Sequence, residues 1–377
     1  MRNGTSGAPL ELPTSHRVPI SWLRKHASAP VRWRTVRDIL PQGAASEVDQ
    51  LALLEETLAY KPIAQAFKKQ KKTGIWGDGI LGLGVSRGQS ARDVGMVSQY
   101  RYLVEAGVPA EQRAFRLAER VFFRLLSRDE DPALLFEFAR AARGSPEFAN
   151  WCRAMMRQAA TVALAHAGHT EDPRVRGAAH RIASDVSQFL RSELAEKPFV
   201  RKGSRTILHP DANPPTILAV ATFAYMPSLQ RERAGFIERL CAYLAQPAPK
   251  RPYSIQVGKR TAKPSFELLG DPLAADAAGR TKDFPLALHW IEVLARLNML
   301  HTSPTAQRVL LRLVSECDPQ GVWSPPNLRS LPKSPSRLAD FVFPLSVDTK
   351  SPEGRKVDVT FRLALIAKLA GWTLEFT

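Results

Sequence analysis

The sequence predicts an all-α protein whose helices lie in two layers, and three observations carry that expectation. In the second half, segments apolar almost all round (217–226, 284–300 and 357–369) alternate with segments bearing one apolar stripe (229–244 and 305–317). A helix without a polar side has to be packed on several sides, whereas a striped helix turns its back to water. Proline also recurs near the first turn of successive helical segments, where its missing N–H costs nothing. Finally, the links between the middle segments are short, which makes antiparallel hairpins the expected unit. Strand signals are thin, 254–257 and 341–345 being the best short candidates, and no sheet is expected.

In chain order, residues 1–17 mix Gly, Ser, Thr and Pro without an apolar run. That is the composition of a disordered leader and not of a signal peptide. Two short helices follow at 20–26 and 31–40, punctuated by Pro30 and Pro41. A longer one is expected at 47–72, with Leu51, Leu54, Leu58 and Ile63 towards the core and a slip near Pro62. Its last turn gathers Lys68, Lys69, Lys71 and Lys72, cations that a helix C-terminus favours. The Gly-rich stretch 74–88 cannot be helical throughout. Helices resume at 91–106, stopped by Gly107, and continue at 110–127, 132–142, 146–167 and 173–194. The expected organisation is one domain over 18–377, interrupted by irregular inserts at 197–214, 247–283 and 324–356.

The 377 residues are 44% hydrophobic and 24% charged, without eighteen consecutive apolar residues. No membrane span is therefore expected, and a cytoplasmic location is. Cys152, Cys241 and Cys317 are odd in number and far apart, which reads as free, mostly buried thiols. The net charge of +17 attracts polyanions without specifying one. Arg201, Lys202, Arg205, Lys250, Arg251, Lys259, Arg260 and Lys263 lie in the first two inserts, with Tyr253 among them. They are the candidate contacts for a nucleic acid or an acidic protein partner. An Arg-rich composition bias is the competing account of the same charge.

Two segments share a layout of apolar helix, polar break, Gly and Trp. One runs from Ala66 through Gln70 to Gly74, Ile75 and Trp76, the other from Leu311 through Glu316 and Cys317 to Gly321, Val322 and Trp323. Both resemble the Gln-and-Trp repeat of the squalene-cyclase and protein-prenyltransferase superfamily, in which a helix runs into Gln, a turn and Gly-x-Trp. The second segment departs from it, with Glu316 or Cys317 where the Gln falls. Gly permits the tight exit from the helix, and the indole closes over the helix end. Residues 29–39 look like the opening of uncharacterised bacterial squalene-cyclase-like members. The resemblance covers about residues 18–127 and 215–377, and implies an α/α toroid, inner helices around a cavity and outer helices around them. An open HEAT-like solenoid is the alternative arrangement of the same hairpins.

Terpenoid cyclases of this superfamily protonate an alkene from an Asp-x-Asp-Asp motif, because the acid needs a second carboxylate and a dry pocket. The sequence has no such motif. Asp129, Glu130 and Asp131 read as an exposed turn with a helix cap. The zinc site of the prenyltransferases has no recognisable ligand set either, and His166 and His169 read as solvated at a helix end. No metal or cofactor is expected, and the sequence leaves open whether the protein is an enzyme. Asp93, Asp283 and Asp358 fall near the starts of helices assigned to the inner layer. They are weak catalytic candidates, since N-capping accounts for each. Tyr100, Tyr102, Phe223, Tyr225, Trp290 and Phe361 are the candidate cavity walls. The leading functional expectation is a toroid binding an apolar or isoprenoid-type small molecule, as a diverged enzyme or a binding protein. A basic helical scaffold for nucleic acid or an acidic protein is the second.

Overall fold

A computed structural model describes residues 10–77, 79–81, 95–127, 131–264, 266–334 and 342–377. The fold is mostly helical, with small sheets. Its first part comprises β1 (Ser15–Val18), α1 (Ile20–His26), α2 (Ala29–Arg34) continued by a π turn (Thr35–Ile39), α3 (Glu47–Ala59) and α4 (Lys61–Lys69). The helix expected at 47–72 is thus two, broken at Tyr60, because Pro62 has no N–H for the carbonyl four residues back and its ring collides with it, so it fits only in the first turn of a new helix. Next come α5 (Met96–Glu105), α6 (Arg113–Ser127), α7 (Ala139–Ala142), α8 (Pro146–His166) and α9 (Pro173–Arg191). The rest is β2 (Phe199–Lys202), β3 (Arg205–Leu208), α10 (Ile217–Ala224), α11 (Pro227–Glu232), α12 (Ala234–Leu244), β4 (Ser254–Val257), β5 (Arg260–Ala262), α13 (Phe284–Arg296), α14 (Pro304–Ser315), α15 (Pro352–Leu369) and β6 (Thr373–Phe376).

The expectation of no sheet is corrected. β2, β3, β4 and β5 form one sheet in that order, with β3 and β4 parallel and the outer pairs antiparallel. Two of the irregular inserts therefore meet in regular structure. The leader is corrected too, since residues 15–17 belong to β1, which pairs in parallel with β6 at the other end of the chain. Gly321 seals this junction. Its φ is +94°, and a Cβ there would lie 2.1 Å from the Arg17 carbonyl oxygen.

The two kinds of helix separate as their patterns predict. All eight residues of α10 are buried, as are residues 287–295 of α13 and 357–367 of α15, whereas α6, α12 and α14 bury one stripe. The buried helices are also neighbours in space: α5 packs on α8, α8 on α10, α10 on α13 and α13 on α15. Four of them stop in the same way. Gly107, Gly168, Asn298 and Gly371 have positive φ, and in each case the next two amides bond back into the last turn. At α5 these are Gly107 N–H to Val104 O and Val108 N–H to Leu103 O, and at α15 Gly371 N–H to Lys368 O and Trp372 N–H to Ala367 O. This is the Schellman stop, which pairs carbonyls that a helix end otherwise leaves without donors.

The two Gly-Trp segments form one turn. Lys71 N–H bonds Ile75 O and Gly74 N–H bonds Lys71 O, while Asp318 N–H bonds Val322 O and Gly321 N–H bonds Asp318 O, all at 2.9 Å. The indole N–H of Trp76 donates to Ala66 O and that of Trp323 to Glu316 Oε2. A third copy is present: Asp276 N–H bonds Arg280 O, and Gly279 N–H bonds Asp276 O. Thr281 stands where the other copies carry Trp. Gly74 and Gly279 press against the backbone of α6 and α14, at Leu117 and Arg308, each the helix that follows the buried one just entered.

Candidate functional site

The ends of the buried helices meet at one place. Glu105 and His166 close α5 and α8, Tyr225 caps α10, Arg296 closes α13, and Lys368 lies in the last turn of α15. Arg34 and the π turn with Arg37 and Asp38 approach from the side. Between these groups is a hollow of about 560 Å³ lined by Arg34, Arg37, Asp38, His166, Tyr225, Arg296 and Lys368, with Val104, Leu365 and Leu369 as its apolar wall. A hollow of about 620 Å³ beneath the β2–β5 sheet is larger, but does not touch the buried charges described next.

A chain of alternating charges runs through the protein beside this hollow. Asp38 pairs with Arg34, and Arg34 Nη1 reaches Glu105 Oε2 at 2.9 Å. Glu105 also takes Arg362 Nη2 at 3.3 Å and His166 Nε2 at 3.1 Å. Arg362 Nη1 continues to Glu292 Oε2 at 2.7 Å, and Glu292 Oε1 takes Arg296 Nη2 at 2.8 Å. The Arg34, Glu105, Glu292 and Arg362 side chains are at most 6% exposed. The chain joins α2, α5, α15 and α13, so elements from both ends of the sequence share it.

Burial by itself raises a carboxyl, but the attraction of the guanidinia is larger here. Arg362 and Arg34, helped by His166, hold Glu105 well below the ordinary carboxylate range. Glu292 lies at about 2 between Arg296 and Arg362. For His166 burial dominates and pulls the imidazole down to about 4, against the pull of Glu105. Neutral His166 then has both nitrogens engaged, Nε2–H donating to Glu105 and Nδ1 accepting from Arg101 Nε at 3.4 Å. Its ring stacks on Tyr225 at 4.2 Å, and the Arg101 and Arg296 guanidinia lie over the same phenol ring. Burial raises the Tyr225 hydroxyl above its ordinary value.

The arrangement suits binding better than proton transfer. Asp38, Glu105 and Glu292 are held in ion pairs, and the imidazole is committed on both sides. Cations are in excess: Arg34, Arg37, Arg101, Arg296, Arg362 and Lys368 face these three carboxylates and the buried Asp358. Arg37 spends Nε and Nη2 on Asp38, and Arg296 spends Nε and Nη2 on Glu292. Their Nη1 groups take no part in those bonds, and a guanidinium has five N–H donors. Arg101 is 1% exposed, and its Nη1 has no hydrogen-bond partner among the described residues.

The residues singled out from sequence are distributed unevenly. Of the candidate cavity walls, Tyr225 lines the hollow, while Tyr100, Phe223, Trp290 and Phe361 are fully buried in the core and Tyr102 is nearly so. Asp283 caps α13 by accepting from Leu286 N–H at 3.1 Å, and its other oxygen takes the Ser334 hydroxyl. Asp358 is not at a helix start, because α15 begins earlier, at Pro352. It is buried in the helix interior, where Oδ1 accepts from Leu345 N–H at 2.6 Å and Oδ2 from Ser346 N–H at 3.2 Å. Burial raises its carboxyl. Asp93 lies outside the described residues, and neither described Asp lines the hollow. Asp131 caps the short helical turn that follows it, through Ala133 N–H.

The reading of His166 as solvated is corrected, since it is buried in the charge chain, and His169 pairs with Glu119 at 2.9 Å. The guanidinia and carboxylates of the chain are the residues that sequence reasoning passed over. Their signal is present in the sequence: Arg34 with Asp38, Arg101 with Glu105, Glu292 with Arg296 and Asp358 with Arg362 are each four apart, three of these pairs in helices without a wet face. Charged residues there have to be inside and met by partners: Arg34–Asp38 and Glu292–Arg296 pair within their segments, whereas Glu105 and Arg362 find each other across helices. Among the described residues no His, Cys, Asp and Glu cluster suits a metal ion, and no helix is long and apolar enough to cross a membrane. Cys152, Cys241 and Cys317 are free, and burial lifts their thiols to about 11, 12 and 12. No protein-family model, curated protein or solved structure matches the chain.

Proposed function

We propose that the chain is a squalene-cyclase-like α/α toroid whose central hollow holds a small amphipathic anion. Support for the ring comes from the pairing of β1 with β6, from the charge bridges that join α5 to both α2 and α15, and from the thrice-used glycine turn. An open solenoid keeps its two ends apart. The observation that carries the ligand class is the cation excess at a hollow bordered by Val104, Leu365 and Leu369. A diphosphate or carboxylate head would take the uncommitted donors of Arg37 and Arg296, leaving a short apolar body against the wall. Isoprenyl diphosphates have this form, which keeps the isoprenoid reading and places the recognition in the head and not in an apolar tunnel. Binding without acid catalysis follows from the ion pairs that hold Asp38, Glu105 and Glu292.

The test compares short prenyl diphosphates, inorganic pyrophosphate and the matching alcohols by calorimetry and thermal shift. The expected result is saturable binding of the diphosphates, none of the alcohols, and a roughly tenfold loss in Arg37→Gln, corresponding to about 1.4 kcal/mol. Equal binding of diphosphate and alcohol, or no effect of Arg37→Gln, would overturn the proposal.

A further inference from the structure

The sheet formed by β2, β3, β4 and β5 gathers cations from two stretches about fifty residues apart. Its register sorts them by face. Phe199, Leu208, Ile255 and Val257 point inward to a small core with Phe189 and Leu269. Cross-strand partners share a face and alternate residues change it. The opposite face therefore carries Val200, Lys202, Ile207 and Arg205 with Ser254, Gln256 and Thr261, Ile207 being buried at its middle and the cations exposed around it, and Lys263, the residue after β5, continues it. No carboxylate occurs among these residues. Lys202 and Arg205 are directly opposed, both exposed, an arrangement that repels unless a counter-charge lies over it. The hydrogen bond recorded for Lys202 goes to the neutral side chain of Gln256. The helical body differs, because its arginines there are repeatedly paired with carboxylates.

We propose that this outer face binds the sugar–phosphate backbone of a double-stranded nucleic acid. Lysine, arginine, hydroxyl and amide groups are the side chains that contact phosphate oxygens, and such contacts position a duplex without reading its sequence. The aromatic residues of the region do not present a stacking platform, since Phe199 and Tyr253 pack on each other and on the inner core. Bases of a single strand therefore find nothing to stack on, whereas the duplex offers the higher density of phosphate charge. This surface is separate from the central hollow, and neither proposal needs the other.

The experiment is fluorescence anisotropy of labelled DNA of mixed sequence, duplex and single-stranded, titrated with the full chain over a salt series. Two contacts, from Lys202 and Arg205, give a slope of log affinity on log salt of about −1.8. The double reversal Lys202→Glu with Arg205→Glu is expected to weaken duplex binding at least tenfold while leaving the melting temperature unchanged. Reversing Lys68 and Lys72, exposed on the helical body, is expected to leave binding within twofold. Equal losses from both reversals would reduce the effect to net charge and overturn the proposal. Tighter binding of the single strand, or of polyglutamate, would overturn it equally.

Discussion

Replacing Glu105 with glutamine keeps the shape of the hub and removes its charge. The carboxylate is 4% exposed and accepts from Arg34, Arg362 and His166 within 3.3 Å. Removing one partner from a buried ionic cluster leaves the others desolvated and underpaired, at a cost of about 3–5 kcal/mol. Unfolding entropy of about 2 cal/mol/K per residue over the chain gives about 0.8 kcal/mol/K, so Glu105→Gln is expected to melt about 4–6 °C lower. Differential scanning calorimetry at neutral pH reads this directly. Glu56→Gln is the control, because the Arg32–Glu56 pair is largely exposed and a pair of that kind contributes no more than about 1 kcal/mol. A Glu105→Gln protein melting within a degree of the wild type would refute the account of the charge chain as what holds α2, α5 and α15 together.

Two further outcomes follow from the same geometry. Because His166 lies at about 4 in the folded protein and 6.5 is its ordinary value, the unfolded chain binds the extra proton between these limits. Stability from this group is complete above pH 6.5 and lost as pH falls towards 4, by about 3 kcal/mol. Burial brings His289 to about 3, so it acts in the same direction, and His166→Gln is expected to halve the loss seen in urea midpoints between pH 7 and pH 4.5. The depressed carboxyls of Glu105 and Glu292 act lower, their contribution being lost only as pH drops below about 4.5. Gly321→Ala is expected to destabilise by roughly 3 kcal/mol or more, since a side chain there combines positive φ with a collision on Arg17. Gly371→Ala meets open space and is expected to cost only about 1–2 kcal/mol for its φ; equal costs would show that the β1–Gly321 junction is loose.

The helices were legible because local chemistry marks their ends. The segment expected at 20–26 coincides with α1, and Gly107 stops α5 where expected, since a positive-φ position after the last turn suits glycine. The sheet was hidden because its strands are three or four residues long: two of its pairings are tight hairpins turning at Gly203 and Gly258, but the one that joins them, β3 with β4, links segments far apart in sequence. Residues 254–257 read as a strand and are β4, but its hairpin partner β5, Arg260–Ala262, is three residues of which only Thr261 is β-branched, too short a signal to announce a sheet. The third glycine turn was hidden by the exchange of Trp for Thr281. The charge chain was hidden for another reason: α13 and α15 were read as apolar helices, and their ionisable residues were averaged into that description. Glu292 and Arg362 are 1% and 5% exposed, and what locates them is the absence of any water-facing side on which to put them.

The same reasoning explains why the site lies at the C-terminal end of the buried helices. Helix starts leave N–H groups unpaired, so carboxylates placed there are drawn into capping, as Asp283 is at α13. Helix ends carry partial negative charge, which favours guanidinia and ammonium groups beside them. When α5, α8, α10, α13 and α15 end at one level, five such ends act on one small volume. Lys368 can then be held there on backbone carbonyls, those of Asp38 and Ile39, beside Arg34 and Arg296, which have carboxylate partners. The four Schellman stops pair further carbonyls internally; Arg34 takes the Glu105 carbonyl and Lys368 those of Asp38 and Ile39, while Nη1 of Arg37 and of Arg296 stays outside their bonds to Asp38 and Glu292. A set of buried helices running in one direction thus acquires two chemically different ends from backbone physics alone. The end rich in arginine is the one with spare donors and a hollow, which is why an anion is the ligand class to test first.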